Sequence, residues 1–215
     1  LNQMIRNYWW GSEKGKRKTH WKSWEEITKP KCMGGIGFRD FRLFNQALLA
    51  RQAWRLLTIP DSLCARVLHA KYYPNGRLED TVFAGNPSSS WQGVAHGLEL
   101  LKKGLIWRIG NGTQVRIWRD RWIPRKPSFQ IISAKGRCRL KWVSELLDIN
   151  GNWDVAAVRQ WFPLDADVIL KIKNSVRNED DFIAWAGEKT GIFSVRSVYR
   201  IAFEEMNQPN QPSST

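Results

Sequence analysis

Residues 105–126 read LIWRIGNGTQVRIWRDRWIPRK. A Gly-Asn-Gly sequence at 110–112 stands between two runs in which apolar and basic residues alternate, and this period of two predicts a pair of antiparallel strands. A two-residue turn at Asn111 and Gly112 would set Trp107 opposite Arg116 and mix apolar with polar positions. A three-residue loop, 110–112, aligns Leu105, Trp107 and Ile109 with Ile117, Val115 and Thr113 on one face, and this is the register expected. Arg108 and Arg116 then occupy the opposite face beside Trp118, and Arg119, Arg121, Trp122, Arg125 and Lys126 prolong the basic line. Two roles are open to that face. It is either the solvated side of a half-buried hairpin or a surface for phosphates and bases, with Trp118 and Trp122 as stacking platforms.

The chain around this stretch is basic, and unevenly so. Of its 215 residues, positions 1–143 hold 27 Lys and Arg against 9 Asp and Glu, a net of +18, whereas positions 144–215 hold 7 against 11, a net of −4. A field of that sign attracts polyanions, nucleic acid before anionic membrane, because no basic amphipathic helix with a clean apolar face stands out. A hydrophobic content of 42% is enough for an ordinary core, in one large domain or two small ones. Three well-separated cysteines suit reduced thiols inside a cell, and no apolar run of membrane-spanning length or secretory leader is visible. An intracellular setting is expected, the nucleus ahead of the cytoplasm, for a chain that reads as a piece of something longer.

Helical spacing recurs along the first hundred residues. LNQMIRNYWW reads as a short amphipathic helix, SEKGKRK as a flexible basic connector, and THWKSWEEITKP as a helix capped by Thr19 and stopped by Pro30. The connector makes Lys14, Lys16, Arg17 and Lys18 a candidate electrostatic patch. DFRLFNQALLARQAWRLLTIP is the longest pattern, capped by Asp40, with Leu43, Ala47, Ala50, Trp54 and Leu57 on its apolar face and Phe41, Phe44 and Leu48 widening it. Arg51 and Arg55 sit one turn apart on its polar side, spaced for successive phosphates. SLCARVLHAKYY follows, and Ser90 is positioned to cap the next helix, which carries Trp91, Val94 and Leu98. Beyond the basic loop ISAKGRCRLK come DVAAVRQWF and DADVILKIK as helices, a second expected hairpin joining DDFIAW to IFSV through EKTG, and a helix capped by Ser194. The expected class is mainly α with small β-hairpins (α+β). Its segments are a basic helical part at 1–75, a helix with a basic hairpin at 76–143, an acidic mixed part at 144–205 and a disordered tail at 206–215.

The order of motifs is distinctive as a set: WWG, HWKSWEEITKPK, GGIGFRDFRLFNQALLARQAWRLL, LHAKYYPNG, SSSWQGVAHGLELLKKGLIWRIGNG, VRIWRDRWIP and DDFIAWAGEKTGIFSVRSVYR. Over residues 4–203 it resembles the C-terminal part of plant non-LTR (LINE-type) retrotransposon reverse transcriptases, the stretch after the polymerase palm. The resemblance implies a thumb-like helical segment at 1–75, with residues 144–205 opening a zinc-binding-type region. The family's Tyr/Phe-x-Asp-Asp hairpin is not present, so two-metal chemistry is not expected. Asp180 and Asp181 precede the FIAW strand and read as solvated surface acids. The family's zinc ligands would follow beyond Tyr199, and the spaced acids of an RNase H site are missing, so no catalytic residue, metal or other cofactor is carried over. The resemblance implies a non-catalytic accessory fragment that contacts RNA template or RNA–DNA duplex through its backbone, with the upstream polymerase domain as a second partner. Two rivals stand beside it: a decayed or domesticated remnant serving as a protein-interaction module, and part of an RNase H-type retroelement protein.

Overall fold

The computed structural model describes residues 2–13, 16–17, 21–29, 31–81, 87–173 and 179–207. Helix α1 (Asn2–Trp10) leads into a short antiparallel ladder of β1 (Ser12–Glu13) and β2 (Lys16–Arg17). Lys16 and Arg17 therefore belong to a paired ribbon, not to the flexible connector expected of them. Lys14 and Lys18 lie outside the described residues. Helix α2 (Trp24–Thr28) starts from Ser23, whose hydroxyl accepts from the Glu26 N–H at 3.2 Å. The expected cap was Thr19. Ser23 has a glutamate three residues on, the capping-box spacing, where Thr19 has a lysine.

Helix α3 (Phe41–Thr58) is the centre of the fold. Asp40 caps it as expected, its Oδ1 accepting from the N–H groups of Arg42 at 2.8 Å and Leu43 at 3.3 Å. The buried face is Ala47, Ala50, Ala53 and Leu56, while Leu48, expected to widen it, is 38% exposed. Helix α4 (Leu63–Tyr72) begins at Ser62, and α5 (Ser89–Lys102) at Ser88, one residue pair before the expected Ser90. Ser88 is the better placed of the two because its hydroxyl also meets the Tyr72 phenol at 2.9 Å, which ties the start of α5 to the end of α4.

Small residues on α3 let α5 approach closely. A Cβ on Gly97 would lie 2.2 Å from the Leu49 carbonyl carbon, inside the other helix's backbone. Gly97→Ala must push the two helices apart, and it is expected to lower stability by about 1–3 kcal/mol, visible as a fall in the urea midpoint without a change in slope. Helix α8 (Val195–Met206) closes the other side of α3. Ser194 caps it as expected, and the Tyr199 hydroxyl accepts from the Asp40 N–H at 2.9 Å.

The sheet differs from the expected hairpins. Strand β3 (Leu105–Arg108) pairs antiparallel with β4 (Phe182–Trp185), in the register Leu105 with Trp185, Ile106 with Ala184, Trp107 with Ile183 and Arg108 with Phe182. Residues 105–109 thus do not pair with 113–117, and FIAW takes β3 as its ladder partner in place of IFSV. Packing decides the choice. Trp185 is fully buried among α3, α5 and α8, with its indole N–H donating to the Ser197 hydroxyl at 2.8 Å, and β4 must lie on β3 to deliver it there. A second core gathers Ile109, Val115, Ile117, Trp122, Val143, Val158, Phe162 and Ile169, with α6 (Val155–Trp161) and α7 (Ala166–Ile169) at its side. The whole is mainly helical with a small antiparallel sheet. Among the described residues no helix is long and apolar enough to cross a membrane.

Candidate nucleic-acid interface

The second core contains little regular structure, so its backbone N–H groups find few ladder partners. Buried carboxylates supply the acceptors instead. Asp181 is 5% exposed, and its Oδ1 accepts from the N–H groups of Gly110 at 2.7 Å and Gly112 at 2.9 Å while Oδ2 accepts from that of Gln114 at 2.9 Å. The Gly-Asn-Gly loop is therefore wrapped around a carboxylate and is not a strand turn. Asp181 is correspondingly not the solvated acid expected from the sequence. Gly112 has φ +71°, and a Cβ on it would meet the Ser144 nitrogen at 2.5 Å, so glycine is required there. Leaving the loop, the chain pairs with residues 141–143: the Ile117 N–H donates to the Lys141 carbonyl at 2.9 Å and the Val143 N–H to the Val115 carbonyl at 3.0 Å.

Several of the arginines hold this irregular structure together. Asp120 accepts from the Arg116 N–H at 2.7 Å and from the Arg77 guanidinium at 3.0 Å, and Arg77 also lies over the Trp107 ring, 5.2 Å from its centroid. Arg119 pairs with Asp80, Arg121 donates to the Lys102 carbonyl, and Arg125 pairs with Asp165. Asp165 is fully buried and accepts as well from the N–H groups of Ile132 at 3.1 Å and Ser133 at 2.8 Å and from the Ser133 hydroxyl at 2.7 Å. Burial pushes its carboxyl up, but the Ser133 bonds and the Arg125 guanidinium outweigh that and hold it below its ordinary value. Trp122 is 1% exposed with its indole N–H on the Ile117 carbonyl at 3.0 Å. Trp118 is half-buried, donates to the Leu140 carbonyl at 3.0 Å and packs on Phe162. Trp122 is thus a core residue, not a stacking platform, and Trp118 is committed to packing. The parity that set both beside the arginines presumed a straight strand, and the chain turns at residues 117–120.

The cations that remain on the surface fall into separate places. Arg51 and Arg55 are exposed on α3, where Arg55 donates to the Gln52 side chain at 3.4 Å. Lys126 is exposed on the loop that follows Arg125. Arg108 is exposed at the end of β3. Arg116 is exposed and lies over the Trp142 ring, 5.3 Å from its centroid. In the bridge Arg116 stands directly opposite Trp142 and shares its face, and Arg137, Arg139 and Lys141, all exposed, lie on the partner segment that leads to Trp142. Those three are missing from the candidates drawn from the sequence. Their signal is in KGRCRLKWV, where basic residues at 137, 139 and 141 alternate with the buried Cys138 and the partly buried Leu140 and Trp142. Arg116, Arg137, Arg139 and Lys141 are thus four exposed cations on two bridged segments of the basic stretch. Among the described residues no group of three or more His, Cys, Asp or Glu is placed to hold a metal ion.

A mainly helical chain, with two two-stranded antiparallel sheets among the described residues and a basic irregular region, defines the class. The comparisons place it further. The chain is 40% identical over 124 residues to the uncharacterized mitochondrial protein AtMg00310 of Arabidopsis thaliana, covering 80% of that protein and 57% of this chain. It is 32% identical over 222 residues to the Arabidopsis thaliana protein named "Putative ribonuclease H protein At1g65750", covering 99% of this chain and 36% of that protein. The chain belongs to the family of AtMg00310, a group of plant retroelement-related proteins. It spans only about a third of the ribonuclease H-named relative. No family model matches it, and no solved structure does.

Proposed function

We propose that the chain is a non-catalytic accessory segment of a retroelement reverse transcriptase, of the non-LTR type its motifs resemble, and that it holds RNA template or RNA–DNA duplex by the phosphates. The observation that carries this is the set of exposed cations Arg116, Arg137, Arg139 and Lys141 on two segments, distant in sequence, that the Arg116–Trp142 bridge holds together. A row of cations on an extended scaffold neutralises successive phosphates and releases their counterions, giving affinity with little choice of sequence. Arg51, Arg55 and Lys126 add to the same field. The name of the ribonuclease H relative supports the same setting.

Fluorescence anisotropy with a mixed-sequence RNA duplex, an RNA–DNA hybrid and a DNA duplex tests it. Six or more phosphate contacts should weaken binding about a thousandfold between roughly 50 and 200 mM salt. Arg116→Ala/Arg139→Ala/Lys141→Ala should leave the melting temperature almost unmoved, since all three side chains are exposed, and should reduce the salt slope by about three phosphate equivalents. A parent chain that binds none of the duplexes would reject the proposal in favour of the remnant or protein-interaction reading.

A further inference from the structure

With Trp118 and Trp122 committed to the interior, a strongly exposed aromatic beside a cation is Phe182. It is 59% exposed on β4, directly opposite Arg108 in the ladder. Directly opposed residues of an antiparallel pair share a face, with Cβ atoms about 4.5–5.5 Å apart, so Phe182 and Arg108 leave the ladder on the same side. Both line a groove of about 530 Å³, within the roughly 300–1,000 Å³ of ordinary ligand sites. Lys171 and Lys173, both exposed, bring two more cations from the segment after α7, and Trp107 contributes its partly exposed ring. Glu179 is the acid lining the groove, against three cations.

A large exposed phenyl ring beside cations without ion-pair partners among the described residues is poor design for a closed core and suits a flat, anionic ligand. We infer that this groove takes an unpaired nucleotide of single-stranded RNA or DNA, its base lying on the Phe182 ring and its flanking phosphates reached by Arg108, Lys171 and Lys173. This rests on the phosphate-binding reading above and adds a second kind of contact to it. Every base has a π-face, so the site is tolerant of sequence, whereas in a duplex the bases are stacked on each other and the ring has nothing to receive. The groove therefore favours strand ends, loops and unpaired template over duplex.

The test compares the full chain with its Phe182→Ala, Phe182→Tyr and Lys171→Ala/Lys173→Ala variants, each against twelve-nucleotide oligo-U, oligo-dT and a blunt RNA–DNA duplex. Phe182→Ala should weaken binding of the single strands about tenfold and leave the duplex affinity unchanged. Phe182→Tyr, which keeps the ring, should bind as the parent does. The paired lysine change should flatten the salt dependence for single strands by about two phosphate equivalents. The two oligonucleotides separate RNA from DNA as the preferred source. If Phe182→Ala binds single strands like the parent while duplex binding persists, the groove is not the site and the phosphate reading stands alone. If the parent binds no nucleic acid at all, both fall together.

Discussion

Asp165→Ala is expected to lower the stability of the chain by about 3–5 kcal/mol. The carboxylate is fully buried, and its removal leaves the N–H groups of Ile132 and Ser133 and the Ser133 hydroxyl without their acceptor and the Arg125 guanidinium without its counter-charge. The loss should be strongly non-additive with Arg125→Ala, because each single change already breaks the pair. Acid should imitate the substitution. The folded carboxyl is held below the ordinary 3.8. A depressed folded value means that the stabilisation is complete above 3.8 and is lost as the pH falls through the folded value. Asp165→Asn should therefore be less stable than the parent at neutral pH and lack this part of the acid dependence. Urea titrations followed by tryptophan fluorescence, run from about pH 7 down to about pH 3, check both points. A variant with the parent's midpoint would remove the pair from any structural role.

The second large effect is expected at Asp181. Replacing it by alanine orphans the buried N–H donors of Gly110 and Gly112, at about 1–3 kcal/mol each before relaxation, and the part-buried one of Gln114, so the net loss should be on the order of 4 kcal/mol. Asp181→Asn separates the contributions. Its single oxygen can still accept from Gly110 and Gly112, but its NH2 faces the Gln114 N–H, and about half of the loss is expected. Amide hydrogen exchange provides the local readout: Gly110, Gly112 and Gln114 should lose protection first in the alanine variant. Unchanged exchange at those three amides would show that the loop holds without the carboxylate.

What the sequence revealed of the fold follows the range of the forces involved. Asp40 before α3 and Ser194 before α8 act within one helical turn, so capping chemistry and apolar spacing located both helices. The caps fall at Ser23 and Ser88 in place of Thr19 and Ser90, and at Ser88 a tyrosine hydroxyl from the preceding helix meets the hydroxyl that is used. The Gly-Asn-Gly loop was misread for the opposite reason. A glycine-rich loop flanked by alternating residues is the local signature of a hairpin, but here the deciding acceptor is an aspartate some 70 positions away, with sequence separations of 67 to 71. The candidate site was legible as a basic, aromatic stretch and not as an inventory of free side chains. Arg119, Arg121 and Arg125 have acceptors within the fold, and the segment of Arg137, Arg139 and Lys141 meets that of Arg116 only through tertiary pairing.

The dependence of the Gly-Asn-Gly loop on Asp181 also sets an order of events during synthesis. The Gly110 amide emerges from the ribosome 71 residues ahead of the carboxylate that receives it, about 4–14 s at roughly 5–20 residues per second. Through that interval β3 has no strand to pair with, because β4 follows directly on Asp181. The nascent chain then carries most of its positive charge on an unfinished scaffold beside a polyanionic ribosome and messenger. Only when the acidic portion arrives do the sheet and the loop close together, so that completion of the basic surface is coupled to translation of the segment that opposes it in charge.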